Sequence, residues 1–481
     1  MNNRNNPSTI RTEAERSPFA TDPIGKLIAR FAIPCVISLL VNALYNIVDQ
    51  IFIGRGVGYL GNGATNVVFP ITVIALAFAL LIGDGGAAYL SLRLGEGDKE
   101  SAQKGVGNAV TMVTIAGLVM LVAALLFMEP IVNLFGATDN LRPYALDYGY
   151  IIAIGLPFTM ISTALNSIIR ADGSPKFAMM SMLLGAIINT ILDPIFIFPL
   201  QMGVQGAAIA TILGQIASFA VSAAYLRHFK SVDMKKSCLR LDKAICRRVL
   251  GLGISSFITQ LSITVVMGVS NNLLTTYGAQ SVYGAEIPLT AMGIVMKVNQ
   301  ILISILVGIA AGSQPIIGYN YGAGDHARVK KTLFIAISAA EAVTIVAFLI
   351  FQLFPMSVVS LFGSEEGLYN EFAVKCFRIF LLLCVLNGFQ TVAGIYMQAV
   401  GKPIKAAAIS LSRQIVFMIP AAIILPIFMG VEGVLWAGPV ADGLAFILAL
   451  VLTILEIRHL NRNREAENQT APGSIAICTE Q

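Results

Sequence analysis

Two aspartates interrupt runs of sequence that are otherwise nearly free of charge, and polar residues flank each at helical spacing. Asp49 follows Ser38, Asn42 and Tyr45 in steps of four, three and four, so the four side chains share one helix face. Asp193 follows Asn189 by one turn and precedes Pro194, whose missing N–H loosens the backbone. Thr211, Gln215, Ser218 and Ser222 repeat the same steps on a third segment. Three such faces predict a water-accessible pocket around two carboxylates. Two acids side by side cannot both stay charged cheaply when buried, so the pair is expected to hold a proton. With the Asn and Thr oxygens added it is also a candidate site for a hard cation such as Na⁺.

Other ionisable residues in apolar runs are weaker candidates. Asp84, within Gly83-Asp84-Gly85-Gly86, is a candidate gate residue, and Asp442 and Lys297 stand at similar depth. Glu341, Arg378 and Arg413 are expected to form pairs between helices, and Asp98 and Asp325 to cap the helices that follow them. Enzyme chemistry finds little support. A phosphate-binding loop is missing, so the chain is not expected to use ATP, and the Gly-rich stretch at 83–86 follows no strand. His228, His326 and His459 fall at helix ends, and the six cysteines lack metal-ligand spacing. The net charge of +5 lies in loops, so a nucleic-acid partner is not expected. No cofactor is expected beyond a coupling ion.

The elements that must hold these residues follow from composition. The 481 residues are 56% hydrophobic and 12% charged, where a soluble domain carries about a quarter charged residues. Reading runs of roughly 20 apolar residues as membrane spans gives twelve. They lie near 27–53, 63–92, 102–128, 141–169, 176–199, 205–228, 246–277, 287–318, 328–354, 367–399, 404–428 and 433–458. Pro34, Pro157, Pro194, Pro315, Pro420 and Pro439 predict kinks within them. Lys and Arg occupy the N-terminal tail and every second connection, with Arg55 the one exception, so both termini are expected in the cytoplasm. The expectation is a multi-pass protein of the plasma (inner) membrane, acting as a monomer.

The chain also repeats itself. Gly95-Glu96-Gly97-Asp98 returns as Gly322-Ala323-Gly324-Asp325, Leu134-Phe135-Gly136 as Leu361-Phe362-Gly363, and Gly203-Val204-Gln205-Gly206 as Gly430-Val431-Glu432-Gly433, each 227 residues on. Six spans per repeat bring both halves in from the same side of the membrane. The expected fold is therefore all-α, with two six-helix bundles related by a pseudo-two-fold axis along the membrane normal. The expected divisions are an N-terminal tail 1–26, an N-lobe 27–228, a cytoplasmic linker 229–244, a C-lobe 245–460 and a C-terminal tail 461–481. Two unequal lobes around one cleft suit transport.

The run Leu44-Tyr45-Asn46-Ile47-Val48-Asp49 with Ile53-Gly54 resembles the first helix of the multidrug and toxic compound extrusion (MATE) family. The Gly-Glu-Gly-Asp and Gly-Ala-Gly-Asp turns, the stretch from Asn189 to Pro194 with Gly203–Gly206, and the stretch from Pro315 to Gly322 are similar to the same family. The resemblance, over about residues 20–460, implies a secondary antiporter that expels small cationic or amphipathic drugs in exchange for H⁺ or Na⁺. It implies a cation site at Asp49, Asn189, Asp193 and Thr211, with Tyr45 and the kink-forming Pro34 accompanying it. Asn42 and Gln215 are expected to line the pocket. Relatives with a C-lobe cation site carry acids on helices 7 and 10, where this chain has Gln260, Asn387 and Gln390. The expected cycle neutralises Asp49 and Asp193, bends the first helix at Pro34 and collapses the pocket, so that drug leaves outward. The rival is a lipid-linked saccharide flippase of the same architecture, which needs a cleft rich in Arg and Lys to hold pyrophosphate.

Overall fold

Apolar runs of this length can enter lipid only with every backbone group paired within the segment, which selects helices. The structure is a computed structural model that describes residues 18–135, 138–360 and 367–470, and no strand occurs among them. Arg4, Arg11, Arg16, Gly136, Leu361, Phe362, Gly363 and Cys478 lie outside the described residues.

All twelve expected spans are helical. They are α1 Ile24–Gly56, α2 Tyr59–Gly95, α3 Lys99–Leu134, α4 Arg142–Ala171, α5 Pro175–Ile197, α6 Gly203–Ala224, α7 Lys243–Ala279, α8 Glu286–Gly322, α9 His326–Leu353, α10 in two pieces, α11 Pro403–Met429 and α12 Val431–Thr470. The pieces of α10, Leu368–Phe380 and Cys384–Ala399, meet at 45°. Both expected caps are present: Asp98 accepts from the Ser101 amide at 3.0 Å and Asp325 from the Arg328 amide at 3.0 Å. The residues before them, Gly97 and Gly324, both take positive φ (79° and 77°), so the repeat is written in the backbone as well as the sequence.

Proline placed the irregularities only partly. The helices run on through Pro34, Pro157, Pro194, Pro315 and Pro439. The breaks come elsewhere: at Phe127 in α3 (φ −114°, ψ 15°), at residues 381–383 of α10, and in a π-helical stretch of α11, Ser412–Met418, just ahead of Pro420. A wide turn before Pro420 is where the missing N–H is most easily absorbed.

The first helix of each half leans across the molecule: α1 packs most heavily on α8 and then on α5, and α7 on α2. Glycine makes this possible. A Cβ at Gly95 would collide with the Tyr319 carbonyl and one at Gly322 with the Leu92 carbonyl; Gly85 faces the Val249 carbonyl, Gly253 that of Leu81, and Gly308 and Gly312 the backbone of Val36 and Ala32. These contacts all lie toward the end of the molecule that carries the Lys- and Arg-bearing connections, here the basic end. Farther along α7 and α8, Gly268 and Gly293 meet nothing within 4 Å. The lobes therefore close on each other at the basic end.

The connection between the lobes is fastened down. Asn108 of α3, fully buried, donates to the Cys238 and Arg240 carbonyls at 3.4 and 3.2 Å and accepts from the Asp242 amide at 2.7 Å. Asp172, after α4, accepts from the Lys230 and Ser231 amides at 2.8 and 2.9 Å and from the Tyr225 hydroxyl at 2.7 Å.

Candidate functional site

The acid pair is built from α1, α5 and α6. Asp49 lies near the far end of α1 from the basic end, and Asp193 near the corresponding end of α5, at 0% exposure. Helical spacing puts Asn189 one turn before Asp193, and its amide nitrogen donates to Asp193 Oδ1 and to Thr211 Oγ1 of α6, both at 3.2 Å. The carboxyl groups of Asp49 and Asp193 stand within hydrogen-bonding reach of each other. Three oxygens in the cluster are buried without a partner: Asp49 Oδ1, Asp193 Oδ2 and Asn189 Oδ1. Unmatched buried acceptors are costly. A hard cation among these oxygens and Thr211 Oγ1 would satisfy all three, and a proton between the carboxyls at most two.

Tyr148 of α4 is a member that the sequence reading missed. It is 9% exposed and sits, with Tyr45, within electrostatic reach of both carboxylates. One tyrosine in an apolar helix reads as packing, and no local spacing ties it to Asp49.

The polar stripes divide more finely than the four-three-four steps suggest. On α1, Ser38 is buried and spends its hydroxyl on the Pro34 carbonyl at 2.8 Å, whereas Asn42 is exposed. A stripe that wholly faces the interior is therefore a correction to make: its middle is open. Tyr45 also borders an apolar groove between α1 and α5 with Val41, Leu44, Val48, Ile187 and Ile191. On α6, Gln215 lies against Gly155 with its Oε1 buried and unpartnered. Ser218 and Ser222 instead join Ser162 and Ser181 in a buried hydroxyl cluster with contacts of 2.6–3.2 Å.

The remaining charged candidates fall into separate places. Asp442 of α12, 3% exposed, accepts from Arg413 Nε at 2.7 Å, as expected of Arg413, and the Asn387 amide lies at 3.5 Å. Gln390 donates to the Asp442 carbonyl at 2.6 Å. Among the described residues Glu341 pairs with no cation, contrary to expectation: it accepts from the Phe389 amide at 2.7 Å and so caps the second piece of α10, where the break leaves N–H groups free. Lys297 is exposed on α8 and makes no ion pair among the described residues. Asp84 bridges α4 and α7 through serine hydroxyls. No group of three or more His, Cys, Asp or Glu side chains gathers into a metal site among the described residues.

Two six-helix lobes that close at one end, with an acid pair inside one of them, define a polytopic membrane transporter rather than an enzyme. The sequence model of the MatE family matches residues 34–195 and 256–424, and the chain belongs to that family. It is 27% identical over 439 residues to the multidrug export protein MepA of Staphylococcus haemolyticus (strain JCSC1435), covering 90% of this chain and 94% of that one. MepA of Staphylococcus aureus (strain MRSA252) is 25% identical, at 91% and 95% coverage. Its fold is shared with a MOP superfamily transporter from Pyrococcus furiosus (TM-score 0.86, 24% identity, 92% of this chain and 98% of that one). The same holds for a multidrug resistance MATE family transporter in its outward-facing conformation (TM-score 0.85, 24% identity, 91% and 96%).

Proposed function

We propose that the chain exports small cationic or amphipathic drugs in exchange for H⁺ or Na⁺, with Asp49, Asn189, Asp193 and Thr211 as the coupling site. The observation that carries this reading is the pairing of buried Asp193 with half-buried Asp49, with three oxygens of the cluster left unpartnered. Oxygens so placed favour a proton or a hard cation over water, which gives a cation gradient something to act on. The relatives' description as multidrug export proteins supports drugs as the cargo. Tyr45 and Tyr148 lie within electrostatic reach of the pair, and Pro34, which removes one hydrogen bond from α1, is where that helix would bend in the cycle.

The moving units are the lobes 27–228 and 245–460, joined by the linker 229–244. The basic end faces the cytoplasm with both termini, so the closed seam there makes this the outward-open state in the plasma (inner) membrane. The protein works as a monomer. Loading of the acid pair from outside removes the charge that keeps a hydrated pocket open, and the pocket's collapse expels drug. Purified protein in liposomes, given a pH gradient alone and then a Na⁺ gradient alone, tests the reading with ethidium as the reporter. Ethidium movement driven by one of the two gradients is expected, and movement driven by neither would overturn it.

A further inference from the structure

The seam between the lobes contains one carboxylate that bonds to both sides. Asp84 of α2 accepts at Oδ1 from the Ser167 hydroxyl of α4, 2.8 Å away, and Ser167 in turn accepts from Arg170 at 2.9 Å. Its other oxygen accepts from the Ser256 hydroxyl of α7, in the opposite lobe, at 2.8 Å. The chain of bonds continues beyond Ser256. Gln398 of α10 donates to Ser256 Oγ at 3.3 Å and to the Leu252 carbonyl at 2.9 Å, and Gln314 of α8 donates to Gln398 Oε1 at 3.4 Å. Gln398 and Gln314 are 2% and 5% exposed, so no water layer separates these groups from the core of the C-lobe.

The backbone explains why the contact exists. Gly85 lies on the Val249 carbonyl and Gly253 on the Leu81 carbonyl, so α2 and α7 meet with no side chain between them. Ser256 sits three residues after Gly253, on the face that this close approach turns toward Asp84. A hydrogen bond to a charged acceptor is about twice as strong as a neutral one. Among the described residues, this is the charged link that crosses α2 to α7 within the seam.

We propose that Asp84 is the lock of the basic-end gate: its carboxylate holds Ser256 across the seam, and breaking that bond sets how often the lobes part there. The lock rests on the reading that the lobes rock against each other, and not on which cation drives them. Asp84 is thus a positioning residue for the transport cycle and touches neither drug nor ion.

The test reads the gate directly. Lys176 and Ile404 are exposed at the basic-end starts of α5 and α11, at matching points of the repeat. Spin labels at Lys176→Cys and Ile404→Cys, in a full chain whose native cysteines are replaced and which still moves ethidium, report closed and open populations without any gradient. Asp84→Ala and Ser256→Ala are each expected to raise the open-to-closed ratio about tenfold (about 1.4 kcal/mol). The double variant should do little more than either, and Asp84→Asn, which keeps an acceptor but not the charge, should fall between. Gly322→Ala, whose Cβ cannot coexist with the Leu92 carbonyl, is the forced-opening control. A wild-type ratio in Asp84→Ala and Ser256→Ala, with the control open, overturns the lock while leaving the rocking motion intact. If the control also stays closed, the rocking motion fails and the lock fails with it.

Discussion

Asp193→Asn is the substitution that bears most directly on coupling. It removes one charge with almost no change in volume, and an acceptor oxygen remains for the Asn189 amide that now donates to Asp193 Oδ1 at 3.2 Å. The fold should therefore survive. What is lost is the second carboxyl: Asp49 would face an amide that cannot take up or release a proton, and a cation would lose half the charge opposing it. For one-for-one exchange, a tenfold ion gradient can sustain at most a tenfold drug gradient, since each tenfold is about 1.4 kcal/mol. Liposomes carrying the wild type and given a tenfold gradient of the coupling ion should reach roughly that ratio with ethidium. The variant should stay near unity, with ethidium binding and thermal unfolding close to wild type. A tenfold ethidium ratio in Asp193→Asn would refute the coupling argument.

Three further outcomes follow from the geometry. Arg413→Ala strands Asp442 as a buried unpaired charge, for which a loss of about 3–5 kcal/mol is expected; Asp442→Asn added to it should restore most of that, as read by thermal unfolding through the single tryptophan, Trp436. Asn108→Ala releases the linker from α3, so trypsin should cut at Lys235 or Arg240 several times faster than in the wild type, as followed by gel electrophoresis. Partial burial pushes the Asp98 carboxyl up, but the hydrogen bond from Ser101 and the charges of Arg93 and Lys104 outweigh it and hold it below its ordinary value. Its capping contribution is then full above about pH 4 and lost as pH falls through the lowered value; the hydrogen-exchange protection factor of the first turn of α3, taken against the intrinsic rate at each pH, should be flat from pH 7 to 5 and fall only in stronger acid, with no such fall in Asp98→Asn.

What could be read from the sequence was whatever one segment decides alone. Span length and the 227-residue repeat are local to a stretch or to two matching stretches, and both reappear in the helices and in Gly97 and Gly324. Asp49 and Asp193 stood out because charge in an apolar run has few innocent explanations. The gaps lie where one segment needs another. Tyr148 takes its meaning from acids on α1 and α5, and Glu341 from an amide exposed by a break in α10. That break falls on Leu381–Leu383, apolar residues that give no warning, whereas Pro34 and Pro315 sit in uninterrupted helix. The fastening of the linker 229–244 was not legible because its anchors, Asn108 and Asp172, are more than fifty residues away in sequence.

The reciprocal fit of Gly95 on Tyr319 and Gly322 on Leu92 has a bearing on descent. The glycines are 227 residues apart and so are the carbonyls they meet, so the two contacts are one contact met twice, as across the interface of a symmetric dimer. A half-length ancestor with this single glycine-and-carbonyl pair would already have carried both surfaces needed to bind its twin. Fusion then freed the halves to diverge, which is how one lobe came to set two acids against each other while the other pairs Asp442 with Arg413.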